Sequence, residues 1–113
     1  MACYAFTNPV IEGKIDTWKA YIEEMNGPRA NERKESRKKA GLTLERVWLQ
    51  KTPMGDFAVV YWEGDDIGKV FERFMTSNEP FDTWFREKIL VECHGMNVSS
   101  PPPMNEMVLD YKA

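Results

Sequence analysis

The order in which the hydrophobic period changes along the chain constrains its fold more than any other feature. Apolar residues alternate at every second position over residues 2–7, then recur at every third or fourth position from Ile15 to Met25. Residues 44–51 alternate again, residues 57–63 form a Val- and aromatic-rich run of strand length, and helical spacing resumes from Ile67 onward. Period two sends successive side chains to opposite faces of a strand, while period 3.6 gathers them on one side of a helix. The spacing therefore predicts strand, helix, strand, strand, helix. Residues 106–112 form an expected closing strand, with Met107, Leu109 and Tyr111 on one face and Val108 among acidic residues on the other.

Local punctuation agrees with this order. Glu12-Gly13 turns the chain into a helix whose stripe is Ile15, Trp18, Ile22 and Met25. Asn26-Gly27-Pro28 stops that helix, with Asn or Gly in the left-handed conformation and Pro28 in the first turn of the next, which runs to Gly41. Residues 52–56 carry turn chemistry and make a hairpin of the strands on either side. Asp65 or Asp66 caps a helix with the stripe Ile67, Val70, Phe71 and Phe74, and residues 77–80 break and restart it. The continuation holds the row Phe81, Phe85, Ile89 and Cys93, an i,i+4 pair of Asp82 with Arg86, and Gly95 as its C-terminal cap. Residues 99–103 read as a stiff polyproline connector.

The resulting βαββαβ order is that of a ferredoxin-like α+β domain with a four-stranded antiparallel sheet, one domain over residues 1–113. Residues 57–63 are apolar on both faces, which requires cover on both. One chain of this length supplies helices for only one side. A second copy is the economical cover for the other, so the expectation is a homodimer.

With 42% hydrophobic residues and four Trp, a packed core needs neither disulfides nor metal. The net charge of −3 is uneven: residues 29–40 carry six basic and two acidic side chains, and the remainder is acidic. That segment holds almost no apolar residue besides Ala30, so the sequence predicts a solvated arm or a partner contact. Aromatic platforms are absent from it and the whole chain is acidic, so nucleic acid is not an expected partner. No apolar run is long enough to span a bilayer, and none resembles a signal peptide. Cys3 and Cys93 lack Cys-x-x-Cys spacing, so reduced thiols in a cytoplasm are expected.

Pro9-Val10-Ile11-Glu12-Gly13-Lys14 followed by Trp18 resembles the start of the first helix in the dimeric α+β barrel superfamily, which includes antibiotic-biosynthesis-type monooxygenases. Trp48-Leu49-Gln50, Thr52-Pro53, Gly55-Asp56, Tyr61 to Asp66, and Pro80-Phe81 with Trp84-Phe85 resemble an uncharacterised bacterial family of about this length. The resemblance implies a dimer whose sheets face each other with helices outside, and it implies no settled activity. The haem-degrading branch of that superfamily requires an Asn on strand one and a helical Trp and His at the spacing that Trp84 and His94 have, a count met here with Asn8. That branch, however, places the Trp before a Ser-containing turn and the His beyond the next Phe. Here Phe74 and Trp84 fall at those places, so haem is not expected.

Arg46, Trp48 and Gln50 share one face of a strand with Leu44, a mixture of polar and aromatic groups suited to a pocket wall or to a wet sheet edge. Tyr61 can donate to a substrate oxygen, and Arg86 can hold a carboxylate or enolate. Trp84 sits on a core stripe. His94, the only histidine, is a candidate base or ligand or else a helix-end cap. One histidine cannot build a His-rich metal site, and no metal or cofactor is expected. Gly-x-Ser-x-Gly, Walker and Gly-x-Gly-x-x-Gly patterns are missing. The leading expectation is a domain that binds a small, partly aromatic organic molecule between sheet and helices, with Arg46, Trp48, Gln50, Tyr61, Trp84, Arg86 and His94 as candidate contacts. The alternative is a cofactor-independent monooxygenase or isomerase acting on an enolisable aromatic substrate. A third is an interaction module using the basic segment.

Overall fold

The computed structural model describes residues 2–99 and 103–113. Three antiparallel strands, β1 (Ala2–Pro9), β2 (Leu42–Thr52) and β3 (Gly55–Gly64), form a sheet in the order β1-β3-β2. Four helices, α1 (Ile15–Asn26), α2 (Ala30–Ala40), α3 (Ile67–Thr76) and α4 (Pro80–Trp84), accompany it. The last runs on into a π-helical segment, Phe85–Cys93. The architecture is α+β and compatible with a ferredoxin-like arrangement.

The strand alternation of the sequence sets the two faces of the sheet. Tyr4 and Phe6 of β1 with Ala58, Val60 and Trp62 of β3 meet the helices. The register joins Tyr4 to Trp62, and Trp62 to Glu45 of β2. Trp62 packs on Phe71 and Phe74 of α3 with ring centroids 4.9 and 5.6 Å away, so the hairpin and the third helix share one aromatic core. Asp66 caps α3 as expected, its side chain accepting from the Lys69 amide at 3.3 Å. In the π-helical segment both Ile89 and Leu90 are buried although they are adjacent. Wider winding turns both toward the core, and the His94 amide closes it by reaching back five residues to the Ile89 carbonyl at 3.2 Å.

The expected fourth strand does not form. Residues 106–112 pair with no strand, and Leu109 and Tyr111 are each 85% exposed. Among the described residues, hydrogen bonds tie the tail to β1 at Pro103 and Asn105, which meet Tyr4 and Ala5. Ordering each further residue costs about 1–2 kcal/mol, and within one chain the row Met107, Leu109, Tyr111 finds no layer to bury against. The polyproline connector lies partly outside the described residues, at Ser100, Pro101 and Pro102.

The basic segment is not a solvated arm. Ser36, Arg37 and Ala40 of α2 are buried. The helix ends at Gly41, whose φ of 86° is left-handed, and the chain passes directly into β2. A Cβ on Gly64 would lie 2.7 Å from the Gly41 carbonyl oxygen, so this junction is tight enough to press α2 onto the sheet and α3. Gly27, in contrast, is not left-handed; its φ is −124° and its amide turns back to the Glu24 carbonyl.

The expected Asp82–Arg86 pair is also replaced. Asp82, only 1% exposed, accepts from the Ser36 hydroxyl, from Ser77 at 2.6 Å, and lies 3.3 Å from Arg73. Arg86 instead donates to the Phe74 and Ser77 carbonyls at 2.8 and 2.9 Å, closing the orphan carbonyls at the end of α3. A fully buried carboxylate takes whichever cation and hydroxyls desolvate with it, and α2 and α3 bring those.

Candidate functional site

Between the helix-facing side of the sheet and the helices lies a cavity of about 50 Å³. At roughly 10–15 Å³ per water-sized sphere this holds a few waters, or a ligand of a handful of non-hydrogen atoms. Its sheet wall is Phe6, Val47, Ala58, Val60 and Trp62; its helix wall includes Trp18, Ile22, Phe71, Phe74, Phe85 and Leu90. Met25, Met75 and Met96 also line it, and unbranched thioether chains yield more readily than the rings around them.

Polar groups enter this apolar space at two ends. At one, Arg37 donates through Nε to Glu45 Oε1 at 2.9 Å, and Trp62 Nε1 donates to Glu45 Oε2 at 2.9 Å. The guanidinium lies over the Phe74 and Phe85 rings at 4.5 and 4.4 Å from their centroids. At the other end stand Asn8 and His94. Asn8 faces Ala58, four residues along β3 from Trp62, so the two ends are separated by roughly 13 Å at about 3.3 Å per residue.

The Nδ1 of His94 lies 2.8 Å from the Pro9 carbonyl oxygen, which can only accept. Nδ1 therefore carries the proton, and the neutral ring leaves Nε2 as an acceptor. Burial lowers the His94 pKa from its ordinary value, against a smaller upward pull from that hydrogen bond, so the imidazole is neutral near pH 7. The neighbouring Cys93 is fully buried, and loss of solvation raises its thiol pKa. It is a packing residue with no nucleophilic character.

Among the seven residues singled out from sequence, His94 alone borders the cavity. Arg46, Trp48, Gln50 and Tyr61 do come together, with Arg46 opposite Tyr61, Trp48 opposite Val59 and Gln50 opposite Phe57. They occupy the other face of the sheet, away from the helices, where Trp48 is 53% exposed. Tyr61 donates to Glu63 at 2.6 Å, and this hydrogen bond, with lesser help from desolvation and the carboxylate charge, pushes its pKa up to about 12. Such a phenol is no base at neutral pH. Trp84 packs outside the cavity against Tyr21 and Phe81, with the Arg29 guanidinium 4.3 Å from its ring. Arg86 is committed to backbone carbonyls. The groups assigned to an enolate-stabilising site are thus dispersed over three separate surfaces.

Arg37 and Glu45 were missed by the sequence reading, and Asn8 entered it only as the strand-one Asn of a haem site. Glu45 carried the signal: it shares a strand side with Val47 and Leu49, and a carboxylate on an apolar strand face requires a buried donor. Among the described residues no three His, Cys, Asp or Glu side chains gather as metal ligands. No helix among them is long and apolar enough to cross a membrane. No protein-family model matches this sequence, and no curated protein is significantly similar to it.

Proposed function

We propose that this chain is a cytoplasmic, homodimeric domain of the dimeric α+β barrel type that binds a small organic molecule, a single ring or its equivalent in size, between sheet and helices. The observation that carries the reading is the cavity itself: an apolar space with a buried Arg37–Glu45 pair at one end and a neutral imidazole at the other. Apolar walls with a few convergent polar groups are the usual composition of ligand sites. At about 50 Å³ the cavity is far smaller than the several hundred Å³ of a drug-sized site, so the ligand is small and its entry displaces the flexible methionines. The dispersal of Arg46, Tyr61, Arg86 and His94 favours a binder over an enolate-forming enzyme.

Dimerisation is supported by the uncovered face of the sheet. Leu44 and Trp48 of β2 adjoin Phe57, Val59 and Tyr61 of β3 and Ala5 of β1 there, and Trp48 is 53% exposed. Soluble monomers rarely expose contiguous apolar surface of this kind. The free thiols Cys3 and Cys93 fit a reducing compartment.

Thermal denaturation against a panel of single-ring molecules tests the binding. A ligand at about a hundred times its Kd adds about 2.7 kcal/mol and raises Tm by several degrees. Failure of every compound to move Tm, in a protein whose sedimentation shows a monomer at micromolar concentration, contradicts both halves of the proposal.

A further inference from the structure

Arg37 is 6% exposed, and one of its three nitrogens is unused. Nε donates to Glu45 at 2.9 Å and Nη1 makes a long contact of 3.5 Å to the Ser36 hydroxyl, while Nη2 is buried without a hydrogen-bond partner among the described residues. The guanidinium lines the cavity against Phe74 and Phe85. A buried charged donor left unsatisfied is costly, so a group that accepts from Nη2 is favoured there over one that merely fills space.

The charges around it decide which acceptor fits. Arg37 is already matched by Glu45, and Arg73 by Asp82. A carboxylate ligand would add an unmatched negative charge beside Glu45 in an apolar surround, where uncompensated charge is strongly disfavoured. A hydroxyl oxygen could accept from Nη2, but its own hydrogen would then need an acceptor in this apolar surround, and an amine carries the same cost. A carbonyl oxygen accepts without adding charge.

We propose that the ligand of this cavity carries an uncharged carbonyl oxygen, as in a ketone, aldehyde or quinone, and that Arg37 Nη2 donates to it. This rests on the reading of the cavity as the binding site.

Three probes of similar size separate the possibilities: cyclohexanone, its methylene isostere methylenecyclohexane, and cyclopentanecarboxylate, each titrated into the full chain by NMR. The expected result is cyclohexanone bound about tenfold tighter than methylenecyclohexane, the worth of one hydrogen bond to a charged donor, and the carboxylate weakest. Arg37→Lys keeps a cation for Glu45 but lacks Nη2, and should reduce that tenfold preference to under about threefold. Should this variant not fold, the ranking in the unaltered protein decides. Equal binding of ketone and alkene, or tightest binding of the carboxylate, overturns the proposal while leaving the cavity a binding site. No binding of any probe at tens of millimolar overturns the binding site too.

Discussion

Removing the Arg37 side chain tests whether the basic helix is part of the core. In Arg37→Met the stem is kept, but the guanidinium leaves Glu45 Oε1, 2.9 Å away, and the faces of Phe74 and Phe85. Breaking one partner out of a buried ion pair costs about 3–5 kcal/mol. The Trp62 indole still holds Glu45 Oε2, which sets the expectation at the lower end, about 3 kcal/mol. Glu45→Gln keeps an acceptor for Trp62 and should cost about 2 kcal/mol, mainly from the buried Arg37 charge left behind. In the double variant neither orphan remains, so its cost should fall short of the sum by at least about 2 kcal/mol. Urea unfolding followed by tryptophan fluorescence, analysed by linear extrapolation, gives all three values. An Arg37→Met cost below about 0.5 kcal/mol, with additive effects in the double variant, would refute the reasoning, because that is how a solvated basic helix behaves.

The remaining expectations concern other buried or shifted groups. The folded His94 has a lowered pKa, so the unfolded chain takes up the proton first; stability should be full above about pH 6.5 and decline as pH falls below it. His94→Gln should flatten that decline in unfolding measured between acidic and neutral pH. Tyr61, raised to about 12, contributes stability that is complete below the ordinary phenol value of about 10 and is lost between there and its folded value. Burial and then the Glu92 hydrogen bond raise the Tyr21 pKa as well, so ultraviolet titration should show late phenolates from both, and Glu63→Gln should bring only that of Tyr61 back toward the ordinary range. Asp82→Asn removes the charge that Arg73 and two serine hydroxyls surround, and should cost about 3 kcal/mol in the same urea assay.

Much of the fold was legible because it rests on periodicity. The stripe of Ile15, Trp18, Ile22 and Met25, the hairpin, and the Asp66-capped stripe through Phe74 all follow from spacing that propensity does not contradict. The closing strand has the same alternation and still fails, since a strand also needs an edge to pair with and a layer to cover it. Helix α2 was misread for the opposite reason. Its inward residues are Ser36 and Arg37, polar groups that only the tertiary structure supplies with partners, here Asp82 and Glu45. Parity on β2 was read correctly, with Arg46, Trp48 and Gln50 on one face. Which face meets the helices is not legible in the sequence, because β3 is apolar on both sides and alternation alone cannot orient a sheet whose two faces look alike.

The four tryptophans sample three different surfaces, which makes indole N–H resonances a direct test of where a ligand sits. Trp18 and Trp62 line the cavity, Trp48 lies on the open face of the sheet, and Trp84 stands outside beneath Arg29. On titration with cyclohexanone, the Trp18 and Trp62 signals should move together and saturate while those of Trp48 and Trp84 stay in place. Saturable movement of Trp48 with Trp18 and Trp62 unmoved would contradict the account, placing binding on the open sheet face.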